Sequence, residues 1–135
     1  MITIELAYQG ELRVKANHGP SDETLFTDAP VDNHGKGESF SPTDLVATAL
    51  GSCMLTIMGI TAEEKGIPLT GATAHVEKHM SQDLPRRISV LDVKIHVPQS
   101  LDEKEMTIMR HAAETCPVAQ SINDAIMVNF ELTCV

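Results

Sequence analysis

The 135-residue chain has no tryptophan, one tyrosine and three phenylalanines, so aromatics make up only 3% of it. Its core must therefore be built from Val, Ile, Leu, Ala and seven Met. Positive charge is also scarce. Ten Lys and Arg stand against nineteen acids, a formal net charge of −9, and no basic cluster offsets it. A phosphate backbone would be repelled, which argues against nucleic acid as a partner. Cysteine numbers three, odd and widely spaced, which excludes a secreted disulfide framework. The start, Met1-Ile2-Thr3-Ile4-Glu5-Leu6, lacks a basic leader and a small-residue cleavage site. A cytoplasmic location is expected, where a paired thiol is more often catalytic or redox-sensing than structural. Repeats, linkers and low-complexity tracts are missing too, so residues 1–135 are expected to form one domain.

What the chain does have is one long uncharged run, Leu45 to Ala62. Apolar side chains fall on every side of its helical projection, and a helix apolar all round must be buried all round. Ser41 fits its N-cap, Pro42 its first turn and Asp44 the capping-box acid. Gly66, with Pro68 beyond, fits its end. The run is near the minimum for crossing a bilayer. Ser52, three threonines and the flanking acids Asp44, Glu63 and Glu64 argue against a membrane. The expectation is a helix sheathed by sheet, with a second subunit completing the cover.

Around this helix the alternation of Ile2, Ile4, Leu6 and Tyr8, a turn at Gln9-Gly10, and Leu12, Val14 and Ala16 predict a hairpin with one buried face. A third strand is expected near Thr24–Thr27, followed by a turn-rich loop over 28–40. After the helix, strands are expected at Thr73–Met80 and Ile88–Val97, the second burying Leu91, Val93, Ile95 and Val97. Ser100 with Glu103 suggests a capping box for a helix whose stripe is Leu101, Ile108, Met109, Ala112 and Cys116. Pro117 breaks that helix and opens a short one, Val118–Asn123. A last strand puts Ile126, Val128, Phe130, Leu132 and Cys134 on one face. The order βββ-α-ββ-α-α-β predicts an α+β fold with largely antiparallel sheet.

Candidate chemistry centres on sulfur. Cys53 sits on the buried helix behind Gly51 and Ser52, small residues that let another segment come close. It reads either as a small buried hydrophobe or as a reactive thiol. It lies too far along its helix to gain from the dipole, so any activation must come from a neighbour. Cys116, before Pro117, is a candidate N-cap, where backbone N–H groups would favour thiolate. Cys134 is assigned to core packing. His75-Val76-Glu77-Lys78-His79 has its Glu displaced from the helical zinc-protease pattern and falls in a strand, so no metal site is assigned. Gly35-Lys36-Gly37 lacks the spacing of a phosphate loop, and no cofactor is expected. Arg86-Arg87 reads as a solvated edge.

Ser41-Pro42-Thr43-Asp44-Leu45 followed by Gly51-Ser52-Cys53, then Cys116-Pro117-Val118, resembles the OsmC/Ohr family. These are the osmotically inducible protein C and organic hydroperoxide resistance proteins, and the element order matches over almost the whole chain. The resemblance implies an intertwined homodimer, its two long helices wrapped by sheets of both chains, with sites at the interface. It implies that Cys53 is the peroxidatic and Cys116 the resolving cysteine of a peroxidase acting on organic hydroperoxides and recycled by an external thiol reductant. The family's peroxidases carry a Glu ten residues before the reactive Cys, where this chain has Thr43, with Asp44 one step off. They carry an Arg in the preceding loop, where this chain has Asn33-His34; His34 or Lys36 would have to supply positive charge. These departures keep open a second expectation, a non-catalytic OsmC-like module that binds a small ligand or senses thiol redox state.

Overall fold

The N-terminal hairpin turns two residues later than its alternation suggests. In the computed structural model, which describes residues 1–135, β1 (Ile4–Gly10) pairs antiparallel with β2 (Arg13–His18). Glu11 and Leu12 form the two-residue turn, both at positive φ (53° and 63°), as the twist of a tight hairpin requires. Leu12 is thus a turn residue, its amide donating to the Tyr8 hydroxyl. β3 (Thr24–Asp28) pairs antiparallel with β2. This sheet belongs to the first of two compact units, Met1–Val46; the second is Ala47–Val135.

In the first unit, Asp28 holds the loop that follows. It is 2% exposed, accepts from Arg13 Nε (2.7 Å) and Nη2 (2.9 Å), and also accepts from the Glu38 amide. A 3-10 turn, Val31–Asn33, ends on His34 in the left-handed region. The apolar face expected to be buried is not. Ile4, Leu6 and Tyr8 share a face with Val14, Ala16 and Leu25 by register, yet Leu6 and Tyr8 are each 66% exposed. A three-stranded sheet with one apolar side needs something packed on that side.

The central helix α1 runs Pro42–Lys65. Its start is a reciprocal cap: the Asp44 amide donates to Ser41 Oγ (3.1 Å) and the Ser41 amide to Asp44 Oδ2 (2.9 Å). Gly66, at φ 67°, follows its end as the left-handed residue. Full burial of this helix does not occur within one chain. Ala47, Leu50, Gly51, Met54, Met58 and Ala62 form one buried stripe, whereas Thr48, Ala49, Ser52, Thr56 and Ile60 stay open. By length and composition α1 could span a membrane, with mean hydropathy 1.8 over an 18-residue window that is 33% buried. A soluble core helix passes the same test.

In the second unit, β4 (Thr73–Met80), β5 (Ile88–Val97) and β6 (Met127–Cys134) form a sheet with β5 in the middle. Leu91, Val93, Ile95 and Val97 are buried on its inner face, as their alternation predicts. Burying side chains such as Leu50, Met54, Met58 and Leu91 stabilises the unit by about 1.5–3 kcal/mol each. α1 approaches β4 closely at Gly51, where an added Cβ would lie 2.9 Å from Val76 Cγ2 and 3.9 Å from the Ala74 Cβ. β4 and β5 are antiparallel, but β6 runs parallel to β5, because the chain returns through α2 (Glu103–Glu114) and α3 (Pro117–Ser121). The cap of α2 also shifts. Asp102 accepts from the Glu105 amide (2.8 Å) while Glu105 Oε2 accepts from the Asp102 amide (3.0 Å). Ser100 and Glu103 do not form the box; a carboxylate two residues later makes the same reciprocal pair, and Leu101 is buried at the position before it.

Candidate functional site

α1 and the α2–α3 junction each deliver one sulfur to the same place. Cys53 projects from α1 two positions after Gly51, where the helix lies tight on β4. Cys116 closes the buried stripe of α2, after Met109, Ala112 and Ala113, and is fully buried. The two thiols lie close enough for Cys53 to influence the ionisation of Cys116, and both are unbridged. Cys53 is only half-buried, so of the two it is the one solvent can reach.

Cys116 is the N-cap of α3. Its sulfur accepts from the Ala119 amide at 3.4 Å, with Pro117 in the first turn. Burial pushes the Cys116 thiol above its ordinary value and outweighs the cap amides of Ala119 and Val118, which pull it towards thiolate as expected; the neighbouring Cys53 pushes it further up.

A groove of about 370 Å³ runs between α1 and α2, lined by Ile57, Thr61, Lys65, Thr107, Ile108, His111, Ala112 and Thr115. Ile57 lies one helical turn beyond Cys53 on the same side of α1, and Thr115 directly precedes Cys116. The groove's middle is apolar, and Lys65 and His111 bring nitrogen to its lining.

The four residues singled out for electrostatic support all fall in the first unit, and the cysteines in the second. Lys36 Nζ pairs with Glu11 Oε2 at 2.8 Å. Thr43 Oγ1 is 3.2 Å from Ser41 Oγ, and Asp44 caps α1. His34 ends the 3-10 turn. The paired guanidinium of this unit is Arg13, which the sequence reading passed over. Its signal was the register: Arg13 on β2 lies opposite Asp28 on β3, so an Arg and an Asp meet across the sheet. Cys134, half-buried on β6, has its sulfur 3.8 Å from the Leu101 carbonyl. Arg87 pairs with Asp83 at 3.1 Å on the surface.

Fold and thiols together define a class: an α+β protein with two sheets and two cysteines in contact at a helix–helix junction. Residues 35–131 match the family model for OsmC-like protein, and the chain belongs to that family. A crystal structure from Psychrobacter arcticus 273-4, provisionally described as an osmotic stress induced and detoxification response protein, superposes with a TM-score of 0.92 at 50% identity over 98% of this chain and 96% of that one. An OsmC-like protein from Mycoplasma pneumoniae gives 0.83 at 15% identity over 100% and 97%. The organic hydroperoxide resistance protein OsmC from Legionella pneumophila gives 0.80 at 15% over 98% and 96%. At such identity the latter two speak for the fold alone. No curated protein matches the sequence.

Proposed function

We propose that the protein is a cytoplasmic, homodimeric thiol peroxidase that reduces organic hydroperoxides through Cys53 and Cys116. Membership of the OsmC-like family supports a redox or peroxide-resistance role. The observation that carries the finer reading is the proximity of a buried Cys116 to a half-buried Cys53. The Cys53 thiolate attacks the distal peroxide oxygen; the O–O bond breaks, the alkoxide leaves and takes a proton as alcohol, and Cys53 becomes a sulfenic acid. The Cys116 thiol then displaces water to form the disulfide, and an external dithiol reduces it by exchange. The apolar middle of the groove suits an alkyl hydroperoxide. The exposed apolar sheet face of the first unit and the open side of α1 support the dimer.

A second reading, a non-catalytic module that binds a small ligand or senses thiol redox state, is favoured by Thr43, whose hydroxyl pairs with Ser41 where a peroxidase of the family carries a carboxylate. Turnover separates the two. Cys53→Ser is expected to abolish dithiol oxidation driven by cumene hydroperoxide. Equal, slow consumption by wild type and variant would exclude the enzyme.

A further inference from the structure

We propose that the outer face of the β4–β5–β6 sheet carries a divalent transition-metal site formed by Glu77, His79 and Asp92. The segment His75-Val76-Glu77-Lys78-His79 fails the helical zinc-protease pattern, but a strand sends alternate side chains to one face. Val76 faces α1, so His75, Glu77 and His79 face away from it together. Glu77 lies directly opposite Asp92, and one ligand atom from each of Glu77, His79 and Asp92 falls within 4.8 Å of the others.

The juxtaposition of Glu77 and Asp92 asks for a cation. Like charges directly across a strand pair repel. The outer face sets the carboxylates of Glu77, Asp92 and Glu131 beside the single ammonium of Lys94. The donor set of one imidazole and two carboxylates suits a zinc-type ion with an open position for water. Asp92 is already oriented for this. Asn129 Nδ2 donates to its Oδ1 at 2.7 Å, which leaves Oδ2 aimed at His79 Nε2, 3.0 Å away. Such partners of a metal-binding carboxylate fix its direction. The ion takes the place of the 3.0 Å hydrogen bond between His79 Nε2 and Asp92 Oδ2. Donors about 2.1 Å from a tetrahedral ion lie about 3.4 Å apart, so the three side chains, whose ligand atoms now lie within 4.8 Å of one another, draw in on binding. Glu77 is exposed and leaves its 3.6 Å contact with His75 Nε2 to reach the ion.

The site is independent of the thiol chemistry, and its test keeps the two apart. Calorimetric titration of the metal-free full chain with Zn²⁺ is expected to show one ion per chain. His79→Ala and Asp92→Asn should each weaken that binding at least tenfold, while Cys53→Ser leaves it unchanged. Both sheet variants should keep the wild-type melting temperature without zinc, since neither residue is in the core. Binding unaltered in His79→Ala, binding lost in Cys53→Ser, or no binding by wild type would each overturn the site.

Discussion

Asp28 is the residue whose pairing most plainly holds its surroundings. Arg13 beside it holds its carboxyl below the usual aspartate range, with the Glu38 amide contributing, while burial pulls the other way. A carboxyl depressed in the folded state binds fewer protons there than in the unfolded chain, so its contribution is complete above the ordinary value near about pH 4. It is lost as pH falls below that through the folded value. Asp28→Asn is therefore expected to lower the melting temperature at pH 7, and its deficit against wild type should shrink as acid protonates Asp28. Melting curves across acid pH check this, and a deficit independent of pH would contradict it. At Cys116 the residue scale teaches a related lesson. Its N-cap position could be read from the Cys-Pro dipeptide, but the burial that outweighs the cap is a property of the packed interior and is not written in local sequence.

Elements were legible where pattern and packing agree. β5 shows this, its four inward side chains alternating as expected, and so does α1, whose Ser41–Asp44 cap stands where the motif put it. The misses share a cause: two local solutions of similar cost competed. Ser100/Glu103 and Asp102/Glu105 are both plausible boxes, and only the docking of Leu101 and Met109 into the core decides which frame starts α2. Asp102→Ala is expected to cost about 1 kcal/mol in urea unfolding, and Ser100→Ala close to nothing. The reverse order would restore the earlier frame. The Gln9-Gly10 turn failed likewise, because Glu11 and Leu12 accept left-handed backbone that composition assigns to glycine. The parallel strand β6 had no local signal, since its direction follows from the helical return.

At the scale of the whole molecule, the chain leaves uncovered what its sequence says should be covered. The first unit presents Ile4, Leu6, Tyr8 and Leu25 on one open sheet face, and α1 keeps an uncharged side bare. Exposed apolar surface of that extent marks an interaction site, and the proposed homodimer gives it an occupant. Sedimentation equilibrium is expected to return twice the 14.6 kDa chain mass. Leu6→Glu, at a position already exposed in the lone chain, should shift the equilibrium towards monomer. A wild type that sediments as monomer would remove the dimer.

The central claim is that two sulfurs brought together by α1 and the α2–α3 junction act as one redox unit. Peptide mass spectrometry of the chain after one equivalent of cumene hydroperoxide, digested without reductant, tests it most directly. A single intrachain Cys53–Cys116 bridge with Cys134 untouched is expected, replaced in Cys116→Ser by a trappable sulfenic acid on Cys53. Oxidation that spares Cys53, or a bridge that recruits Cys134 instead, would contradict it.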